Sequence, residues 1–177
     1  LCFAQKKKKA VHNETADKIL TIQKNISDSA LLDLVQKQTF KYFWDFADPV
    51  SGMARERSNI TDYGAEVAAT GGTGFGVMSI IVAANRNWIS RDTAVGRLLR
   101  LVKFLSKADK YHGIFPHWLN GETGKTIPFS SKDDGGDIVE TSYLFEGLLC
   151  AREYFNKNNP KEKQLRQRIT WMWNDVD

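Results

Sequence analysis

The sequence predicts an all-α fold built from helical hairpins packed in two layers. Segments with apolar residues on one side alternate with segments that are apolar nearly all round, at helical spacing. Long, glycine-rich polar loops separate the helices. The composition, 42% hydrophobic and 26% charged with 4 prolines in 177 residues, is that of a globular helical protein. A closed ring of such hairpins would bring the long loops to one end of the molecule.

The first predicted helix starts after Ser27 or Ser29, each of which is a good N-cap, and stops at Asp48-Pro49. Its apolar residues share one face. Residues 50–72 are polar, punctuated by glycine and without clear alternation, so we expect a long loop there. Long loops in compact domains are usually functional.

A helical hairpin is predicted next. Residues 75–88 are apolar nearly all round, which is typical of an inner helix that is buried on every side. Ser90 caps a second helix, expected to end at about Lys110. This helix has one apolar stripe with basic residues opposite, so it is expected on the outside.

The last third of the chain repeats this pattern. A loop over residues 111–137 leads into a helix from Ile138 to about Phe155. Pro160 suits the N1 position of a last helix that runs through Trp173. The sequence thus indicates about five helices.

Charge and hydropathy exclude two classes of partner. The formal net charge of +4 comes partly from Lys6–Lys9 and residues 156–168, which are charge runs without aromatic stacking residues. We therefore expect no nucleic-acid partner. No apolar run is long enough for a membrane-spanning helix, so no span is expected.

The N-terminal residues indicate export. Residues 1–9, LCFAQKKKK, are typical of the end of a signal peptide, with Cys2 and Ala4 placed suitably before a cut ahead of Gln5. The alternative is a basic N-terminus with no targeting role. On the first interpretation, residues 1–28 are a signal-peptide remnant and basic leader, and residues 29–177 are the N-terminal part of one catalytic domain.

Three motifs that suggest a ligand do not match their patterns. Residues 120–126, NGETGKT, lack the first glycine of a phosphate-binding loop, and the loop segment 71–76, GGTGFG, follows no predicted strand. The glycines of residues 71–76 are expected to let backbones approach closely, against a helix or beside a ligand. His112 and His117 with Asp109 match no common zinc spacing. The motifs predict neither a nucleotide site nor a metal site.

Residues 132–141, KDDGGDIVET, concentrate four carboxylates in a basic chain. If a helix starts near residue 136, Asp137 and Glu140 share a face, and Asp133 and Asp134 lie at or before the N-cap. Carboxylates held close in different environments acquire different pKa values, as glycoside hydrolysis requires. The alternative is an elaborate helix cap, although one aspartate suffices for that role.

Sugar recognition also needs aromatic platforms and bidentate donors. Trp118, beside His117 in a polar loop, is the best candidate platform in the sequence. Arg55 and Arg57 lie in the first long loop and are the candidate donors.

Four blocks of the chain carry a family resemblance: residues 31–58, 70–91, 107–155 and 168–177. The most specific string is KDDGGDIVET. These blocks resemble consecutive parts of the glycoamylase-like domain family, which includes bacterial endo-β-1,2-glucanases. The resemblance implies an (α/α)6 barrel, an exported periplasmic enzyme with no metal or organic cofactor, and hydrolysis of β-glucan, an oligo- or polysaccharide, with inversion.

The resemblance also implies roles for individual residues. It makes Asp133, Asp137 and Glu140 the catalytic acids, without saying which one donates the proton. It implies substrate contacts at the barrel mouth from Asp134, Arg55, Arg57, Gly72, Thr73, His117 and Trp118.

A complete barrel has more helices than this sequence predicts, so an opposing carboxylate is expected beyond these 177 residues, and the chain alone is not expected to be active. Two other functions stay open. One is a carbohydrate-binding protein without catalysis, and the other is a phosphorylase or glucan-processing module of a larger cyclic-glucan synthase. The sequence indicates no oligomeric state.

Overall fold

The computed structural model describes residues 25–59, 61 and 64–177. These residues form five helices and a three-stranded antiparallel sheet. The helices are α1 (Asp28–Trp44), α2 (Thr70–Asn85), α3 (Arg91–Leu105), α4 (Ile138–Tyr154) and α5 (Pro160–Asn174), and the strands are β1 (Val67–Ala69), β2 (Trp118–Asn120) and β3 (Thr126–Ile127). Most of the predicted leader, residues 1–24, lies outside the described residues.

The helices start where the local signals in the sequence place them. Ser27 and Ser90 are the N-caps of α1 and α3, and each side chain accepts a hydrogen bond from the third helical N–H. Asn159 caps α5, with Pro160 at its N1 position. These predicted starts are confirmed, whereas α3 ends at Leu105, one turn earlier than expected.

A small sheet joins the two long loops. β1 pairs with β2, with Val67 opposite Asn120, and β2 pairs with β3. The expectation that residues 50–72 and 111–137 hold only loop is therefore wrong. Each strand has two or three residues, too few for a recognisable alternation of polar and apolar positions. The pairing places the start of α2 beside His117, and a separate bridge between Pro116 and Gly136 brings the turn before α4 to the same segment.

The glycine-rich segment 71–76 is helical, because α2 starts at Thr70. The prediction of a loop there is wrong, but the predicted close approach of backbones is confirmed. A Cβ on Gly74 would lie 2.0 Å from the carbonyl oxygen of Tyr143, and one on Gly147 would lie 2.3 Å from the carbonyl oxygen of Gly74. The helices α2 and α4 thus cross backbone to backbone.

The core lies between two helix pairs. α2 packs on α4, α3 packs on α5, and α2–α3 and α4–α5 form hairpins, as the sequence predicts. The predicted stripe of α3 is buried, but α2 is not covered on every side, since Phe75, Met78 and Val82 are exposed in the described part. Among the described residues, no helix is both long and apolar enough to cross a membrane.

Candidate active site

The turn before α4 is bound to the segment that leads into β2. The backbone N–H of Asp137 donates to the carbonyl oxygen of Phe115 at 2.8 Å, and the N–H of Phe115 donates to Thr141 Oγ1 at 2.9 Å. The Thr70 hydroxyl, at the start of α2, donates to the carbonyl oxygen of Pro116 at 2.6 Å. These bonds hold the starts of both helices against His117.

Asp137 is the N-cap of α4, and both of its carboxylate oxygens have partners. Oδ1 accepts from the N–H of Glu140 at 2.9 Å, and Oδ2 lies 2.9 Å from His117 Nδ1. The His117 ring stacks on Phe129 with 4.2 Å between centroids. The helix on one side and the imidazole on the other therefore determine the orientation of this carboxylate.

Glu140 lies in the first turn of α4 and reaches the start of α2. Its Oε2 accepts a hydrogen bond from the N–H of Gly71 at 2.7 Å. That N–H belongs to the first turn of α2, where backbone donors lack intrahelical acceptors and the helix dipole favours an anion. A Cβ on Gly71 would lie 2.7 Å from the same oxygen, so a larger residue here would require the carboxylate to shift.

Glu140 opens onto a cavity of about 370 Å³ at this end of the helices. Arg55, Gly72 and His117, three of the predicted substrate-contact residues, also line it. This volume lies within the usual range of small-molecule sites. The rest of the wall is largely aromatic and includes Tyr42, Phe43, Phe75 and Tyr143. The cavity thus combines carboxylate, cation and ring surfaces.

The other two acids of the cluster lie apart from each other. Asp133 is partly buried, and its carboxylate is within 4.8 Å of the ligand atoms of His117 and Asp137. Asp134 is exposed and lines a separate cavity of about 400 Å³ with Asp109. The structure therefore groups Asp133 with Asp137 and His117. Glu140 opens onto the cavity that His117 also lines, and Asp134 lies on another surface.

The two predicted arginines have different surroundings. Arg55 lies over the Phe46 ring at 5.2 Å, its Nε donates to the carbonyl oxygen of Phe46 at 3.0 Å, and its Nη1 donates to that of Ala65. Arg57 is largely exposed and forms an ion pair with Glu56 at 3.2 Å. Arg55 is thus held in the cavity wall, whereas Arg57 does not line the cavity and contacts it through Glu56.

Thr73 and Trp118 are buried behind the wall. The Thr73 hydroxyl donates to the carbonyl oxygen of Ala69 at 2.7 Å and accepts from the N–H of Ala54 at 3.1 Å. Trp118 is 6% exposed, and its indole N–H donates to Glu56 Oε2 at 3.0 Å. These positions hold the wall together, and substrate contact by either residue stays a prediction.

Glu56 and Tyr42 line the cavity but are not among the residues that the sequence predicts. The Tyr42 hydroxyl donates to the carbonyl oxygen of Arg55 at 2.8 Å. Burial raises the pKa of Tyr42, and the Glu56 carboxylate raises it further, so the phenol stays a hydrogen-bond donor near neutral pH. Glu56 carries no spacing signal in the sequence, because its partner Trp118 is distant in the chain.

Phe75 and Tyr143 were also missed by the motifs, although a helical signal exists for both. Tyr143 follows Glu140 by three residues on α4, and Phe75 follows Gly71 by four on α2. Residues at these spacings share a helix face. The signal is usable only when the site residues and both helices are already known.

His117, Asp133 and Asp137 are the described residues that could hold a metal ion, since one ligand atom of each lies within 4.8 Å of the others. Imidazole nitrogen and carboxylate oxygen suit Zn²⁺. The sequence predicts no metal, and that stays a prediction. The trio considered from the sequence is dispersed, because His112 pairs with Asp177 at 3.6 Å and Asp109 binds Lys125 at 3.0 Å.

The chain is similar to proteins that act on β-1,2-glucans. It is 49% identical over 153 residues to an exo β-1,2-glucooligosaccharide sophorohydrolase (non-reducing end) from Parabacteroides distasonis. The match covers 86% of this chain and 21% of that protein. No family model matches the chain.

Solved structures give the same result. An endo-β-1,2-glucanase from Chitinophaga pinensis, in complex with sophorotriose and glucose, matches with a TM-score of 0.82 and 50% identity over 85% of this chain and 37% of that one. A β-1,2-glucanase from Parabacteroides distasonis matches with a TM-score of 0.81 and 48% identity, over 85% of this chain and 21% of that one. The chain therefore spans between about a fifth and two fifths of these relatives.

These relatives are glycoside hydrolases, and the chain is a homologue of part of them. The resemblance to glycoamylase-like endo-β-1,2-glucanases that the sequence indicates is confirmed.

Proposed function

We propose that this protein hydrolyses β-1,2-linked glucans with inversion at the anomeric carbon, and that the described residues supply one wall of its active site. The observation that carries the proposal is the placement of Glu140, whose carboxylate is held by the Gly71 N–H at 2.7 Å and opens onto the cavity of about 370 Å³. The activity named for the relatives supports the substrate class.

Inverting hydrolysis needs one carboxylic acid that protonates the glycosidic oxygen and one carboxylate that activates water on the opposite face of the sugar. Asp133, Asp137 and Glu140 supply the groups for one of these roles. The remaining acids, with Arg55 and His117, hold sugar hydroxyls. The opposing carboxylate is assigned to a part of the protein beyond these residues.

The proposal includes the surrounding architecture. The two-layer hairpins and the alignment of loops at one end support an (α/α)6 barrel with residues 29–177 as its N-terminal part. The signal-peptide-like residues 1–9 support export to the periplasm.

The test is hydrolysis of β-1,2-glucan by the protein at its full natural length. We expect new reducing ends, and proton NMR of the first products should show the α anomer. A β anomer would contradict inversion. Binding heat in calorimetry without new reducing ends would indicate a binding protein, and a requirement for inorganic phosphate would indicate a phosphorylase.

A further inference from the structure

We propose that Phe75 and Tyr143 form a platform on which one sugar ring of the glucan stacks beside Glu140. The proposal rests on the hydrolase function proposed above and adds the residues that position the substrate.

The two rings form an exposed apolar pair at a polar site. Phe75 is 55% exposed and Tyr143 is 42% exposed, and their centroids are 5.4 Å apart with 35° between the planes. Exposed large apolar groups that adjoin polar groups are typical of binding surfaces. Both rings line the cavity onto which Glu140 opens.

The platform is held rigidly relative to the acid. Phe75 follows Gly74, and it is the carbonyl oxygen of Tyr143 that a Cβ on Gly74 would approach to 2.0 Å. The rings therefore project from the point where α2 and α4 touch through their backbones. The close approach of the two backbones fixes the Cα positions from which the two rings project, so less freedom is lost when a ligand binds.

The chemistry of the cavity fits a pyranose ring. The faces of a glucosyl unit carry C–H groups that pack on aromatic rings, and its edge carries hydroxyls that bind carboxylates and guanidinium groups. Phe75 and Tyr143 present the ring surface, and Glu140, Arg55 and His117 present the polar groups. A sugar ring stacked on the platform would thus direct its hydroxyls toward Glu140.

The exposed stripe of α2 continues through Met78 and Val82. The alternative to a platform is that another segment of the protein packs on this stripe and covers Phe75 as well. In that case replacing Phe75 would lower the melting temperature and leave KM unchanged, and the platform would be excluded.

The test is steady-state kinetics on β-1,2-gluco-oligosaccharides with the protein at its full natural length. Phe75→Ala and Tyr143→Ala should each raise KM by about tenfold, since stacking contributes at that level, with much smaller changes in kcat. Tyr143→Phe keeps the ring and should restore the wild-type KM. Trp171→Ala is the control, because Trp171 is 59% exposed on α5, away from the cavity.

Each result decides the proposal. A folded Tyr143→Ala variant with the wild-type KM would overturn the proposal. This test is sufficient by itself if Phe75→Ala fails to fold. If the wild-type protein releases no reducing ends, the hydrolase function fails, and calorimetry with the same oligosaccharides then tests the platform separately. In that experiment, equal affinity for the oligosaccharides in wild type and in both alanine variants would overturn the platform.

Discussion

Two glutamates occupy the same position in two helices and have opposite surroundings. Glu140 in α4 and Glu162 in α5 are each the third residue after the N-cap, and each backbone N–H donates to the cap side chain, at 2.9 Å to Asp137 and 3.0 Å to Asn159. The Glu162 side chain is 4% exposed, and its two oxygens accept from Arg91 Nε and Nη2 at 2.9 Å each.

The two glutamates differ in the group that donates hydrogen bonds to the carboxylate. The hydrogen bonds from Arg91 are the main reason why the pKa of Glu162 is lowered to about 2, so this carboxylate stays ionised and joins α5 to α3. Glu140 instead receives its hydrogen bond from the neutral Gly71 N–H and opens onto a cavity. A group that exchanges a proton with substrate needs such access. The same local cap signal therefore produces a structural acid and a candidate catalytic one.

The largest expected effect is on turnover. Glu140→Gln removes a group that transfers or stabilises charge, so kcat on β-1,2-glucan should fall by about 10²- to 10⁴-fold, while the melting temperature stays at the wild-type value. Glu146→Gln, exposed on the same helix, is the matched control and should keep full turnover. Wild-type kcat in Glu140→Gln would exclude a catalytic role.

At Glu162 we expect the reverse. Glu162→Gln leaves Arg91 without its charged partner and should lower the free energy of unfolding by about 2 to 3 kcal/mol, measured by urea titration, with unchanged kcat in the folded fraction. Glu153→Gln is the control, since Glu153 is 77% exposed beside Arg152 and should change stability by less than about 0.5 kcal/mol. Equal stability of the two variants would contradict a structural role for Glu162.

The Glu162 contribution should also depend on pH. Its pKa is lowered from 4.5 to about 2 in the folded protein, so the folded state binds the proton less readily than the unfolded state. The stabilisation is complete above pH 4.5 and should be lost as the pH falls from there toward 2. Urea midpoints across this range should fall more steeply for wild type than for Glu162→Gln. Parallel curves would contradict the lowered pKa.

A smaller effect is expected at Gly71. Gly71→Ala places a Cβ 2.7 Å from Glu140 Oε2 and should displace the carboxylate, with kcat reduced about tenfold. In Gly96→Ala the new Cβ has no atom within 4 Å, so this control should keep full turnover and gain about 0.5 to 1 kcal/mol of stability. Full turnover in Gly71→Ala would show that this contact does not position the acid.

The helix starts could be predicted from the sequence because caps act locally. Ser90 lies within one turn of the N–H that it satisfies, and Pro160 stands at N1, where an N–H would have no acceptor in the helix. The sheet could not be predicted, since Val67 pairs with Asn120, far along the chain. The helical state of residues 71–76 was missed because glycines usually end helices, whereas here they permit the contact with Tyr143.

The acid cluster was visible in the sequence because its members are close together in the chain. Asp133 and Asp137, two of the predicted catalytic acids, are grouped with His117, and their catalytic role stays a prediction. The sequence could not separate Asp134 from its neighbour Asp133, although the two side chains lie on different surfaces. It could not reveal Glu56 either, because its partner Trp118 lies in β2, far along the chain.

The contact of Gly74 with Gly147 leaves no room for a side chain at either position. The acid of α4 and its N–H donor in α2 lie on the two helices that meet at this contact. On the proposed function, insertions in the surrounding loops would alter access to the cavity without changing the distance between Glu140 and Gly71. Variation in chain-end preference within such a lineage is accordingly expected in loop length, with the helix crossing retained.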